Sequence, residues 1–427
     1  MDKPKIIVSS LTSLIDSRID IRVVGLLPRQ IVTLMASRIT VGKQEVYLES
    51  YAKFLADNFG VVDLNTQQPI EGSYSCIDGM GLFWSMDVAK VQSTKNNSSS
   101  LVGEVLKPQK ISITLQLEDT ILDEITLTRQ WKTNQITRYP VRENGIVATF
   151  FSNDDKKTRP GIIIVGGSEG GLNEYPAALL ASHGFSVLSL AYFGIEHLPD
   201  RLVEIPLEYV KTSIDWLRKR PEVNDTWLGI HGTSKGSELA LLSACYFSEI
   251  NAVVSLNGSA VALSGNVPWS DEETLPPSWT FNGEAIPYAS PINPKKIAFE
   301  CKEMWEKRVG NPFLKWYDAI TSDKDIVEKA TIPVEKINGP ILLISGEEDT
   351  IIKLSLSQKA IERLKNYESK YPYEHLIYPG AGHSIGIPYL RANTYNQGTK
   401  KDNATASVDS WSKTIEFFKN SSCIKCN

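Results

Sequence analysis

One stretch constrains this chain more than any other: Thr226-Trp227-Leu228-Gly229-Ile230-His231-Gly232-Thr233-Ser234-Lys235-Gly236-Ser237-Glu238-Leu239-Ala240. It reads as a short strand, a sharp turn between Gly232 and Gly236, and a helix. Gly-x-Ser-x-Gly in that setting is the pattern of a nucleophile elbow, a strained turn that pushes a serine Oγ out to meet a carbonyl. The two glycines matter because a Cβ at either place collides where strand and helix pack closely. The pattern is made of common residues, however, and the chain carries it twice. Gly166-Gly167-Ser168-Glu169-Gly170 fits it as well and also follows an apolar run. The order of the surrounding elements has to separate the two serines.

That order changes along the chain. Up to about Trp131 the pattern has period two. Ile111-Ser112-Ile113-Thr114-Leu115-Gln116-Leu117-Glu118 alternates strictly, and Ile19–Val23 and Val32–Ala36 do the same. Hairpin-length gaps between such runs predict antiparallel sheets packed as a sandwich, a domain over residues 1–135. Gly79–Met86 is expected to be a packed apolar loop, and Lys95–Ser100 a polar surface loop.

From about Arg138-Tyr139-Pro140-Val141-Arg142 strands and helices alternate. Strands are expected at Gly145–Phe151, Pro160–Val165, Phe185–Leu190, on the elbow strand, and at Ala252–Leu256, Ile341–Ile344 and Glu374–Tyr378. Helices are expected at Tyr175–His183, Leu207–Arg220, after the elbow, around Leu356–Asn366, and from about Ser407 to Phe418. This alternation predicts an α/β domain over residues 136–427, with a mainly parallel sheet and helices on both faces. Residues 258–338 interrupt it as a long, lid-like insertion. The insertion is rich in aromatics, with Trp269, Trp279, Phe281, Trp305 and Trp316 as packing residues or substrate walls.

In such sheets function collects at the carboxyl ends of strands. Loops there hold Ser168, Ser234, Asp349 and His383, in the serine–acid–histidine order of α/β-hydrolases. Ser234 suits the nucleophile. Ser168 comes one strand, one helix and a further strand too early, where the fold carries its oxyanion loop. The expected oxyanion donors are the Lys235 N–H and an N–H near Ser168. The base is found by elimination among five histidines. His183 ends a helix, His197 precedes Pro199, and His231 lies too near Ser234 in sequence to turn back on it. His375 sits inside a strand, which leaves His383 in the loop Pro379-Gly380-Ala381-Gly382-His383. Of the acids after Ile344, Asp349 is favoured over Glu347 and Glu348 to hold the imidazole. The Lys235 side chain is read in two ways, as an exposed first-turn residue or as a charge that attracts an anionic leaving group.

Composition narrows the partners. A net charge of −5 without a long basic run speaks against nucleic acid, and no apolar run is long enough to span a membrane. Sparse cysteines and the lack of an apolar leader at Met1–Val8 lead to the expectation of a cytoplasmic protein. Cys423 and Cys426 form a C-x-x-C near the end, expected to be a frayed tail. The chemistry calls for no metal and no cofactor.

Several pieces together resemble the acyl-CoA thioesterase and bile acid-CoA:amino acid N-acyltransferase family. They include Ile21–Leu26, Gly79–Trp84, Gly170–Tyr175, Leu188–Tyr192, Ser234–Leu239, Asn257–Ser259, Thr274–Pro277, Tyr378–His383 and Pro388-Tyr389, and they span nearly the whole chain. The resemblance implies an N-terminal β-sandwich, a C-terminal α/β-hydrolase domain with a Ser234–His383–Asp349 triad, and an acyl-CoA or related thioester as substrate. In the amino-acid-conjugating branch the nucleophile is Cys, so Ser234 favours hydrolysis. The terminal Lys425-Cys426-Asn427 differs from the peroxisomal signal of some relatives. Small-ester or dienelactone-type hydrolysis, amino-acid acyl transfer, and a non-catalytic binding role are the alternatives. The insertion departs most from the family pattern, which leaves the acyl group and the oligomeric state open.

Overall fold

The computed structural model describes residues 3–41, 44–93, 106–265, 271–394 and 397–423. The expected loop at Lys95–Ser100, Trp269 of the insertion and Cys426 lie outside the described residues. Two compact units are present. The first comprises Met1–Thr133, Gly386–Thr394 and Lys400–Val408. The second comprises Asn134–Ile385, Tyr395–Thr399 and Asp409–Asn427.

The first unit is built from two sheets. Lys5–Val8, Ile21–Val24 and Val62–Asp63 form the smaller, with Ile21–Val24 in the middle. Ile31–Val41, Gln44–Leu55, Gln109–Leu117 and Thr120–Gln130 form most of the larger. Ile6, Ile21 and Val23 of one sheet share a core with Leu34, Ala36, Phe54, Ile113 and Leu115 of the other, which makes the pair a sandwich. The period-two sequence produces this directly, since alternate side chains point to one face. Two details differ from expectation. Thr12–Leu14 pairs with Thr128–Gln130 in parallel rather than antiparallel fashion. The stretch Gly79–Met86 contains a one-turn helix, Gly81–Trp84, with every residue buried.

The second unit is built on an eight-stranded sheet. Its strands are β1 (Ile136–Val141), β2 (Val147–Asn153), β3 (Arg159–Val165), β4 (Ser186–Ala191), β5 (Val223–Thr233), β6 (Ile250–Leu256), β7 (Ile341–Gly346) and β8 (Tyr373–Tyr378). Their spatial order is β1-β2-β4-β3-β5-β6-β7-β8. The β1–β2 and β2–β4 pairs are antiparallel and all others parallel. This is the α/β-hydrolase sheet. The helices that matter for the site are α1 (Glu174–Ser182), α2 (Leu207–Arg218), α3 (Lys235–Tyr246), α4 (Pro294–Lys307), α5 (Pro312–Ile320), α6 (Leu354–Asn366) and α7 (Lys400–Cys423).

Both faces of the sheet are covered, as continuous apolar strands demand. Leu228 and Ile230 of β5 join a core with Val210, Ile214 and Leu217 of α2. Trp227 meets Phe418 of α7 edge-on, with ring centroids 6.2 Å apart. Among the described residues no helix is long and apolar enough to cross a membrane.

Candidate active site

The second Gly-x-Ser-x-Gly folds as a sharp corner between β5 and α3. Ser234 has φ 54° and ψ −122°, a conformation that costs a non-glycine residue ~1–3 kcal/mol and persists only where its surroundings force it. The surroundings do so here. A Cβ on Gly232 would lie 2.2 Å from the Gly236 carbonyl oxygen, and one on Gly236 would lie 2.1 Å from the Gly166 carbonyl oxygen. The Ser234 N–H donates to the Leu256 carbonyl of β6 at 2.9 Å. Ser237 Oγ donates back to the Gly232 carbonyl at 2.8 Å.

Two loops from later strands converge on this corner. His383, past the end of β8, lies with Nε2 3.0 Å from Ser234 Oγ and Nδ1 2.6 Å from Asp349 Oδ2. With the proton on Nδ1, the ring donates to the carboxylate and accepts the serine hydroxyl. Asp349, past β7, is 6% exposed and held by its own loop. Its Oδ1 accepts from the N–H groups of Ile351 and Ile352 at 2.8 and 2.9 Å. Glu347 and Glu348 are exposed. The other four histidines are elsewhere. His183 caps α1, His197 Nε2 is 3.1 Å from the Gly145 carbonyl, and His375 Nε2 is 3.0 Å from Ser345 Oγ. His231 is buried inside β5 with no partner for Nδ1 among the described residues, and burial lowers its pKa to about 4.

The first Gly-x-Ser-x-Gly lies against the elbow. A Cβ on Gly167 would come within 3.0 Å of Ser234 Cβ. Glu169 Oε1 accepts from the Gly167 N–H at 2.9 Å, and the buried Tyr192 hydroxyl donates to the Gly166 carbonyl at 2.7 Å. These bonds fix the loop from both sides. Ser168 itself is exposed.

The Lys235 side chain answers to neither sequence reading. It is 4% exposed and points into the protein. Nζ donates to Glu238 Oε2 at 2.8 Å and to the Leu263 carbonyl at 3.1 Å, and it lies 5.6 Å from the centre of the Trp279 ring. Glu238 Oε2 also accepts from the Leu263 N–H at 3.0 Å and from Trp279 Nε1 at 2.9 Å. Burial pushes the lysine pKa down and the glutamate pKa up, and each is held back by the other. A charge so enclosed cannot draw in an anionic leaving group. It joins the elbow helix to the insertion.

Residues 16–143 match the family model described as the acyl-CoA thioester hydrolase/BAAT N-terminal region, and residues 205–422 match its companion, BAAT / acyl-CoA thioester hydrolase C terminal. The chain belongs to this family. Among its relatives, the mouse acyl-coenzyme A thioesterase 1 is 29% identical over 94% of this chain and 93% of its own length. The rat acyl-coenzyme A amino acid N-acyltransferase 2 is 30% identical over 97% of both. Among solved structures, a putative dienelactone hydrolase from Klebsiella pneumoniae covers 66% of this chain and 98% of its own, at 14% identity and a TM-score of 0.42.

This family member, an enzyme, carries two further site residues that the sequence reading did not single out for a role. Asn257, just past β6, is 1% exposed and has a positive φ of 48°. Its Nδ2 donates to the carbonyls of His383 at 2.9 Å and Ile385 at 3.3 Å, so it clasps the histidine loop. An Asn before Gly at a strand end was the available signal, because Asn tolerates left-handed backbone. Glu238 is the other, and its signal was its three-residue spacing from Lys235 on one helix face. The insertion aromatics divide. Trp279 is buried, Trp316 packs beside Ile352, Phe281 packs against Tyr246, and Trp305 stays half-exposed.

Proposed function

We propose that this enzyme hydrolyses acyl-CoA thioesters through an acyl-enzyme on Ser234. The observation that carries the reading is the unbroken hydrogen-bonded chain from Ser234 Oγ through His383 to Asp349. His383 Nε2 takes the hydroxyl proton as Oγ attacks the thioester carbonyl. The carbonyl oxygen becomes an oxyanion beside Gly167, where the N–H groups of Lys235 and Ser168 serve as its donors. Each such donor is worth ~3–4 kcal/mol in the transition state. Coenzyme A leaves as the thiol, taking the proton from the imidazolium. Water then attacks the Ser234 ester with His383 again as base, and the free acid and the original serine result. Asp349 keeps the ring in the tautomer that presents a bare Nε2 to the serine.

Two facts support hydrolysis over transfer to an amino acid. The nucleophile is an oxygen, and amines attack an oxygen ester far more slowly than they attack a thioester. The sequence resemblance also assigns cysteine to the conjugating branch. The small-ester alternative shares every residue and differs in the leaving group. Among the described residues Cys76, Cys245, Cys301 and Cys423 are free thiols, consistent with the reducing cytoplasm. Cell fractionation tests that compartment, since relatives named for peroxisomes and mitochondria exist.

The deciding experiment offers a panel of acyl-CoA thioesters and matched oxygen esters and follows free thiol and free acid. Thiol release that is lost in Ser234→Ala is the expected result. Turnover of esters with no turnover of any thioester would make this a small-ester hydrolase.

A further inference from the structure

The segment between β6 and β7 forms most of the wall of an open cavity of about 480 Å³ that the triad does not line. Met304, Trp305 and Arg308 at the end of α4, Phe313 at the start of α5, and Thr350 and Ile351 form its walls. The volume is that of a small-molecule site, ~300–1,000 Å³. One wall is therefore the loop that supplies Asp349. That wall is fixed in place. Asn311 Nδ2 donates to Thr350 Oγ1 at 3.0 Å, while Asn311 Oδ1 caps α5 by accepting from the Leu314 N–H at 3.0 Å. The site is thus built before any ligand arrives.

Two side chains give it chemical character. Trp305 is 49% exposed, yet its ring is held edge-on against Phe313, with centroids 6.0 Å apart and planes at 85°. Arg308 ends α4 in left-handed backbone at φ 53°. Its guanidinium has no carboxylate partner among the described residues, since Glu300 pairs with Lys315 and Glu303 with Lys307. Among the described residues Lys302, Arg308 and Glu306 form no ion pair, which leaves one positive charge in excess. A hydrocarbon chain is a poor occupant. It would strip water from a guanidinium and return nothing. A planar base with a phosphate fits both features. A base stacked on an aromatic side chain gains ~1–3 kcal/mol, and a guanidinium forks onto phosphate oxygens.

Coenzyme A carries such a group, an adenine with a 3′-phosphate on its ribose, separated from the thioester by the pantetheine arm. We infer that this cavity receives the adenosine 3′-phosphate end of the substrate, with Trp305 against the adenine and Arg308 on the phosphate. The inference rests on the coenzyme A reading above and adds where the nucleotide is held. It also explains why the cavity shares a wall with the acid loop. The arm spaces the nucleotide from the carbonyl, so one end of the substrate lies at Ser234 and the other against the insertion and the acid loop.

The test uses the full chain and adenosine 3′,5′-bisphosphate in a calorimeter. Wild type and Ser234→Ala should bind it alike. Trp305→Ala and Arg308→Met should bind at least tenfold more weakly with unchanged thermal melts. ADP, which lacks the 3′-phosphate, should bind wild type about as weakly as the bisphosphate binds Arg308→Met. In kinetics, the ratio of KM for decanoyl-CoA to KM for decanoyl-pantetheine should rise about tenfold in both variants. No binding to wild type, equal affinity in the variants, or an unchanged KM ratio overturns the inference. An equal rise in both KM values would make the cavity an acyl pocket and overturns it too. Bisphosphate binding at the cavity in a chain that cleaves no thioester supports the nucleotide site and defeats the thioesterase reading. Thioester cleavage with unaltered binding and KM ratio does the reverse.

Discussion

The chain carries Gly-x-Ser-x-Gly twice, at the ends of two neighbouring strands of one sheet, β3 and β5. The two loops share a pattern and little else. At Gly232–Gly236 the strand ends at Thr233 and the helix begins at Lys235, so one residue must make the whole turn. That residue is Ser234, and its φ of 54° is the result. At Gly166–Gly170 the strand ends at Val165 and the helix waits until Glu174. The turn is spread over the residues between, the positive φ values fall on Gly170 and Gly171, and Ser168 is left exposed and unstrained. The lesson is that the motif becomes an elbow only when strand and helix leave no room for anything else. With room, the same letters make an open loop with no strained serine.

The largest effect should separate the two serines. Ser234→Ala should abolish covalent fluorophosphonate labelling and lower kcat by ~10⁶-fold, the scale for loss of a triad nucleophile. Ser168→Ala should keep its label and stay within about threefold of wild type, because only a backbone donor is asked of it. A label mapped by mass spectrometry to Ser168 would reverse the comparison. The acid comes next. Asp349→Asn should lower kcat by ~10⁴-fold by stabilising the wrong imidazole tautomer. Glu348→Gln, one residue away and exposed, should leave kcat nearly intact. Comparable losses in the two would mean that the loop as a whole matters rather than the contact to His383.

A smaller effect sharpens the role of the first loop. Gly167→Ala should lower kcat by ~10²–10³-fold with KM little changed, the cost of misplacing one oxyanion donor. The new methyl would sit 2.8 Å from the Glu169 carboxylate and 3.0 Å from Ser234 Cβ. Normal kcat in this variant would show that the first loop is a bystander. The smallest effect concerns what lies beneath each loop. β5 carries His231 where its neighbour β3 carries Ile164. The folded-state pKa of His231 is about 4, below its ordinary value of 6.5. The unfolded chain therefore binds more protons between those values, and stability falls as pH drops through that window. The loss should reach about 2 kcal/mol between pH 7 and pH 5 at ~1.4 kcal/mol per pH unit. Urea unfolding at the two pH values measures it, and His231→Leu should remove that share of the acid slope. An unaltered slope in His231→Leu would mean that other groups set it.

Much of the site was legible in the sequence because its residues lie in order along the chain, each just past a strand. Ser234, Asp349 and His383 required only that the strands be recognised. What stayed hidden depends on contacts between distant segments. β1 carries no strand signature in its sequence because Ile136–Val141 contains Pro140 and polar residues, which an antiparallel edge strand tolerates. α7 begins at Lys400, earlier than its apolar pattern suggests, since its first turns carry small and polar residues. Ala392 and Ala404 lie in the first unit's core, and nothing in two isolated alanines announces that. The burial of Lys235 is hidden for a similar reason. A lysine at a helix start is normally solvated, and the residues that enclose it come from the insertion.

The buried Lys235–Glu238 pair has a consequence for anyone who wishes to exchange the insertion for another. The graft has two natural seams. Leu263, which touches the pair through both its N–H and its carbonyl, is the first, and Trp279, which donates to Glu238 through its indole, is the second. A transplant that begins after Leu263 and ends before Trp279, or begins after Trp279 and ends before β7, keeps the pair satisfied. One that cuts across either residue leaves a charge in the dry interior beside Ser234, and fails for reasons unrelated to the substrate it was meant to accept.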